Sequence, residues 1–482
     1  MKSQAWIISI VFVACWINIF QFFNVSTYGI TPADVSSWLV ILFALYQFIW
    51  NGMPVETLPG WAFAGLFAIL FAEYASVFAP LLSGSSDMQI QWLKTSTNFL
   101  SKWLLIILFA SGIYSADAFK SAIRFMLIAS IAINIFGIYQ IFARAFDLPL
   151  AWIPINNVSI SIRNYHSMDN MTQLSLRFEN FFRATSIFSE PSFYAQFNTL
   201  VLTFLLIPFL RGTTPFLQSN LLRAIIAIPA IIGMFLTFSL TALFSISLIT
   251  LWALIFEQSK KKIALLSSIA GGFVLILITD AIVSQFVSIS VFDLFTKRVG
   301  GIVDVLSTGG GRGTSIVGES FFGRLSTIFQ GFSIWAEYPI TGIGAGCYEY
   351  FSKMNPISFS DSLHSGLLAE RGTLGFVAYA ALFIHLFKRT LHASRNAEFR
   401  SSLSPDLLTL TAIAPYVMIA HIAFSFSTYY WINWIFWVHH GLVYAILISA
   451  QKAAGRPILT FSPMKLGLAK RLNIAEAARK SP

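Results

Sequence analysis

The residues best suited to chemistry in this chain are Arg183 and Glu190, in the run Arg183-Ala-Thr-Ser-Ile-Phe-Ser-Glu190-Pro191-Ser192. They stand about two helical turns apart, where a polar stretch gives way to a hydrophobic one. Arginine offers a planar fork that grips phosphate oxygens bidentately and stays charged in any environment. An ionisable group at membrane depth costs roughly 2.5–3.5 kcal/mol unless it finds a partner or a wet cavity. The pair therefore points to a bound polar group, and a phosphate suits the arginine. Glu190 has two readings: a proton-accepting carboxylate, or an acid favoured near a helix start by the helix dipole, with Pro191 in the first turn.

Three further residues join them. Arg324 reads as a second phosphate clamp or as an interface residue with its charged head in water. His364 lies in Asp361-Ser-Leu-His364-Ser-Gly-Leu-Leu-Ala-Glu370-Arg371-Gly372-Thr-Leu-Gly375, where a second long loop re-enters the membrane. With an ordinary pKa near 6.5, it can move a proton or bind phosphate when charged. Arg371 is an additional candidate for phosphate contact. The glycine runs do not make a nucleotide site. Gly342-Ile-Gly344-Ala-Gly346 lacks the last glycine of a dinucleotide fingerprint, and no Lys-Ser/Thr follows Gly309–Gly313. No metal-binding spacing is present, and Cys15 and Cys347 form neither a zinc motif nor a disulfide framework. The expectation is a site without cofactor or metal.

Such a site must be held by membrane helices. Hydrophobic residues make up 56% of the 482, charged residues only 11%, and mean hydropathy is +0.72. A soluble domain is about 25% charged, so the composition predicts an all-α integral membrane protein. A window of about 20 residues gives twelve spans, near 5–24, 33–52, 58–82, 98–115, 118–146, 191–211, 221–239, 241–257, 263–283, 364–387, 405–427 and 430–450. Five spans then fill residues 1–146 and four fill 191–283. Three more fill 364–450, and a basic tail covers 451–482. Two large loops remain, over 147–190 and 284–363.

Lys120, Arg124, Arg211, Arg223, Lys260–Lys262, Lys388–Arg400 and the tail all fall on one side of such a layout. The positive-inside bias makes that side cytoplasmic, together with both termini, and puts both large loops outside. Lys94, Lys102 and Arg144 are exceptions near outer span ends, and Glu73 and Asn134 are polar residues within spans. The net charge of +10 is mostly this inner face and its attraction to anionic lipid, with no nucleic-acid partner implied. Leu, Ile and Ala mix with Lys and Arg at roughly helical spacing from Met464 to Lys480, the pattern of a tail lying on the membrane surface or of a frayed end.

Taken in order, Arg183-x6-Glu190-Pro191-Ser192, Pro339-Ile-Thr-Gly342-Ile-Gly344-x-Gly346 and His364-Ser365-x4-Glu370-x-Gly372-x2-Gly375 resemble the bacterial O-antigen polymerase and O-antigen ligase superfamily. The likeness covers roughly residues 100–450, and the Arg183–Ser192 pattern is closer to the polymerase branch. In the family the histidine stands further ahead of the Glu-x-Gly element, and that spacing reaches Asp361 here.

The resemblance implies a metal-independent glycosyltransferase of the bacterial inner membrane with its active site facing the periplasm. Its donor and acceptor would be undecaprenyl-pyrophosphate-linked oligosaccharides, with a chain-length regulator as a candidate further partner. Arg183 and Arg324 are then expected on the pyrophosphate, with Arg371 as a further contact and Glu190 and His364 as the proton-transfer residues. A ligase acting on lipid A–core and a lipid-linked-sugar flippase are the competing readings. The flippase is disfavoured by the absence of half-to-half repeats.

Overall fold

The computed structural model describes residues 2–455, apart from 18–19, 26–27, 51–57, 112–113, 155–172, 174–176, 179–180, 258, 288–289, 309–318, 352–359, 430 and 432. Expectations for Gly309–Gly313 and for the tail from Met464 to Lys480 lie outside the described residues. The chain is helical, with two small antiparallel hairpins, β1 (Phe23–Val25) with β2 (Tyr28–Ile30) and β3 (Arg177–Phe178) with β4 (Phe181–Phe182).

The N-terminal group of helices is α1 (Lys2–Ala14), α2 (Pro32–Ile49), α3 (Gly60–Ala75), α4 (Phe78–Ser83), α5 (Ser86–Ala110) and α6 (Ala116–Ala145). The central group is α7 (Pro191–Arg211), α8 (Asn220–Leu236), α9 (Leu240–Phe256) and α10 (Ser259–Val287). Then come α11 (Val291–Thr308), α12 (Glu319–Glu337) and α13 (Tyr348–Phe351). The last are α14 (Leu363–Arg395), α15 (Ala397–Ser401), α16 (Pro405–Ser425) and α17 (Trp434–Ala454).

Among the described residues, eight helices are long and apolar enough to cross a membrane, rather than twelve. The first expected span ends at Ala14 and gives way to the β1–β2 hairpin. α8 and α9 reach only 17 residues each. α5 has 25 residues but carries Asp87, Lys94 and Lys102 along its length. The two long loops also carry structure, since β3 and β4 lie in the first and α11, α12 and α13 in the second.

α16 and α17 form the centre of the bundle, their apolar stretches 89% buried, whereas that of α10 is only 11% buried. Small residues allow close packing around them. Gly137 on α6 and Gly233 on α8 both abut Tyr194 on α7, whose hydroxyl donates to Asn134 Oδ1 at 2.8 Å. Asn134, a polar residue within a predicted span, therefore ties three helices together.

The basic residues gather at one end of the bundle. Lys120 on α6 pairs with Asp406 on α16, and Arg124 Nε donates to the Phe216 carbonyl at 2.6 Å. Arg211 at the end of α7 lies 2.6 Å from Glu257 and donates to the Ser394 carbonyl at 3.3 Å. α7 rises about 30 Å at 1.5 Å per residue, so Glu190 at its start belongs to the opposite end.

Candidate functional site

Glu190 occupies the N-cap position of α7 in extended backbone, yet its side chain makes no capping hydrogen bond. The carboxylate turns away from the helix instead. Oε1 accepts from Ser192 Oγ, and Oε2 stands 3.5 Å from Arg324 Nη2. Both side chains remain about a quarter exposed, 24% and 27%. Of the two readings open for Glu190, the geometry departs from capping and faces the carboxylate toward a cation.

Arg324 projects from α12, and its other terminal nitrogen is 3.5 Å from the Ser427 carbonyl. One turn further on, Thr327 Oγ1 lies 3.1 Å from Asp361 Oδ2 and accepts the Asp361 N–H at 3.2 Å. α12 thus presents a guanidinium and a hydroxyl to carboxylates from two other segments. Burial pushes the Asp361 carboxyl above its ordinary range, against the pull of Arg324 and with reinforcement from Glu190. The resulting mouth has one arginine, two carboxylates and several hydroxyls.

A carboxyl whose folded pKa is raised contributes stability that is full below its ordinary value of 3.8 and lost as pH rises through the folded value. Replacing Asp361 with Asn should remove that acid-side rise and leave the thermal midpoint at pH 7.5 equal or higher. Midpoints of the purified protein from pH 4 to 8 check this, and a lower midpoint for the variant at pH 7.5 would contradict it.

His364 begins the first turn of α14, whose N-cap Ser362 accepts the His364 N–H at 3.3 Å. Its Nε2 lies 3.0 Å from Ser425 Oγ, and Ser425 donates to the Ile422 carbonyl at 2.6 Å. Nε2–H is then the donor toward serine. The ring packs against Phe426 and Phe376, at 5.0 and 6.2 Å between centroids. His364 belongs to the same mouth, but its hydrogen bond goes to α16.

Arg183 lies further back, 7% exposed, with Nε donating to the Thr237 carbonyl at 2.8 Å. Arg144 donates to the Arg183 carbonyl and reaches Gln173 Oε1 and Thr185 Oγ1 at 3.0 and 2.6 Å. Gln173 in turn donates to the carbonyls of Ser186 and Phe188. This strap, residues 183–190, delivers Glu190 to the mouth. Arg144, an exception to the charge rule in sequence, organises it.

Arg371 occupies a different, closed cluster, about 1% exposed. Its Nε and Nη2 bind the two Glu73 oxygens at 2.5 and 3.1 Å, and Nη1 reaches Glu370 Oε2 at 2.6 Å and the Tyr429 hydroxyl at 2.5 Å. Trp431 Nε1 adds a donor to Glu73 at 3.2 Å. The guanidinium is committed to protein oxygens and stands apart from the Arg324–Glu190 pair.

The glycine motifs explain how both clusters are held. Gly372 has φ +63° inside α14 and breaks it into two half-helices. A Cβ there would strike the Ile340 carbonyl, and one at Gly342 would strike the Glu370 backbone. Residues 339–344 then supply what the break removes. Ile343 and Gly344 donate to the carbonyls of Ala369 and Glu370 at 2.9 and 3.0 Å, while Thr373 and Leu374 donate to Pro339 and Ile340 at 2.8 and 3.1 Å. Two intrahelical hydrogen bonds are replaced by four to the loop, so no backbone group at the break is stranded in an apolar surround. The second and third motifs are one interlocked element.

Among the described residues, no group of three His, Cys, Asp or Glu could hold a metal ion. Buried His439 and His440 each direct Nδ1 to a backbone carbonyl one turn back, at 2.8 Å. The mouth as it stands can bind an anion at Arg324 and accept a proton at either carboxylate. No family model matches the chain, and a search of curated proteins finds no significant match.

Proposed function

We propose that this chain is a metal-independent integral-membrane glycosyltransferase that polymerises lipid-linked oligosaccharide repeat units. The supporting observation is the meeting of Glu190, Arg324 and Asp361, from three segments distant in sequence, at the end of the bundle opposite its basic residues. In a bacterial inner membrane that end would face the periplasm.

The reaction asks little beyond these groups. The bond between the anomeric carbon and the pyrophosphate oxygen breaks, and the acceptor hydroxyl oxygen bonds to that carbon. Its proton goes to a carboxylate. The pyrophosphate leaves as an anion beside Arg324, whose fixed charge is placed where negative charge develops. Asp361, with its raised proton affinity, and Glu190 are the acceptors for the proton. His364 Nε2–H offers a donor at the same mouth. The donor substrate already carries a good leaving group, so the scheme calls for no nucleotide or metal. The exposed phenylalanines along the helices suit a polyprenyl chain.

The broken helix α14 gives the flippase reading its one structural support, since transporters place such breaks at substrate sites. Here the break is sealed by residues 339–344 and its charges are paired, which favours the enzyme. A gel profile of surface glycan and lipid-linked intermediates from a strain lacking the gene separates the readings. Loss of the ladder with single repeat units still reaching their acceptor is expected for a polymerase. Long chains stranded on undecaprenyl pyrophosphate would mean a ligase, and an unchanged profile would defeat both.

A further inference from the structure

At the basic end of the bundle, one buried guanidinium has no carboxylate among the described residues. Lys120 and Arg211 there each pair with an acid. Arg389 on α14, 6% exposed, pairs with none among the described residues. Its Nε donates to His385 Nε2 at 2.6 Å, and its carbon Cζ lies 4.2 Å from the centre of the Trp61 ring.

Its neighbours are donors too. Trp61 stacks on Tyr444, with 5.7 Å between centroids and 10° between planes. Among the described residues neither the Trp61 Nε1–H nor the Tyr444 hydroxyl has a hydrogen-bond partner, although both atoms are buried and Tyr444 is only 1% exposed. Tyr444 also lies within electrostatic reach of Arg389. Because His385 Nε2 accepts from Arg389, the proton of a neutral His385 sits on Nδ1. Trp61 belongs to the first turn of α3, where the N-cap residue Pro59 makes no side-chain cap and no acid is present.

A buried donor left without an acceptor destabilises the fold unless a ligand supplies the acceptor. Two such donors beside a guanidinium without a carboxylate among the described residues, at a helix start without a side-chain cap, describe the lining of an anion site. One anion with several oxygens would satisfy them together. The flank of this cluster is apolar and open, with Phe63 57% and Ile384 52% exposed. That combination suits a charged head attached to hydrocarbon better than a free ion.

We propose that Arg389, Tyr444 and Trp61 bind the phosphate of an anionic lipid headgroup. The site lies at the opposite end of the bundle from the Glu190–Arg324 mouth and does not depend on the glycosyltransferase reading. The test uses full-length protein in nanodiscs of phosphatidylcholine with and without phosphatidylglycerol, with retained lipid counted by native mass spectrometry.

The wild type should retain a phosphatidylglycerol that Arg389→Gln loses, with occupancy lower by roughly tenfold. Tyr444→Phe keeps the ring stack and removes only the hydroxyl, so it should lose about threefold and decides the matter if Arg389→Gln does not fold. Arg223→Gln, at the same end but bonded to Asn220, should retain lipid as the wild type does. Equal retention in wild type and Arg389→Gln overturns the proposal, as does equal loss in Arg389→Gln and Arg223→Gln. Inorganic phosphate titrated into lipid-free protein separates the two sources. An Arg389-dependent rise in thermal midpoint without any retained phosphatidylglycerol would assign the site to soluble phosphate and defeat the lipid assignment.

Discussion

Replacing Arg324 with alanine is expected to abolish polymer while leaving full-length protein in the membrane at near wild-type amount. The side chain is 27% exposed and its contacts with Glu190 and the Ser427 carbonyl are both 3.5 Å long. A partly solvated pair of that kind contributes no more than about 1 kcal/mol to stability. Its effect on the reaction should be far larger. Removing one preorganised donor from developing negative charge costs about 10²–10³ in rate. Lysine at 324 restores the charge without the fork and should recover part of the ladder. The measurement is a glycan gel of complemented deletion cells beside an immunoblot of membranes. A wild-type ladder from Arg324→Ala would remove this residue from the mechanism.

Replacing Arg371 with methionine is expected to act the other way, through the fold. It leaves Glu73 and Glu370 facing each other, both about 1% exposed or less, with their shared cation gone. Removing one partner of a buried ion pair costs about 3–5 kcal/mol, a large fraction of the stability of most domains. The variant should fail to accumulate, or run as aggregate on fluorescence-detected size exclusion. Lysine should not rescue it, because Glu73 is held by two nitrogens of one planar fork. Adding Glu73→Gln to Arg371→Met removes one stranded charge and should restore part of the monodisperse peak. If Arg371→Met were instead stable and inactive, the guanidinium would have to act on substrate, as expected from sequence alone.

Much of the helical layout was legible because long apolar runs leave few alternatives. α7 and α16 begin at or within a few residues of the predicted positions, each with proline in its first turn. The short helices α8 and α9 fall close to the predicted 221–239 and 241–257, on either side of the turn at Ser239, whereas the end of α1 was not legible, since hydropathy averages over the hairpin that follows it. Glu190 and Arg324 could be named from type and position, but their pairing could not, since it joins residues 134 apart in the chain. Asp361 was reached only by counting back from Glu370. Its environment depends on Thr327 in another helix, which no local pattern encodes. The surroundings of Arg371 were hidden for a related reason. An arginine beside a helix break looks available until Glu73, on α3, is brought against it.

That last contact bears on how the chain is made. Glu73 and Arg371 are separated by 298 residues. At about 5–20 residues per second, synthesis needs on the order of 15–60 s to produce the second after the first. For that interval α3 carries a carboxylate without the guanidinium that grips both its oxygens, and the half-helix ending in Glu370 and Arg371 is poorly suited to insert on hydropathy alone. Biogenesis is therefore expected to finish from the far end of the message. The nascent chain would hold this acid in or beside the bilayer without its guanidinium until α14 arrives with residues 339–344 already in place to receive it. A chain cut short before that point would present a buried carboxylate without its arginine, a ready mark by which quality control could distinguish it from the finished protein.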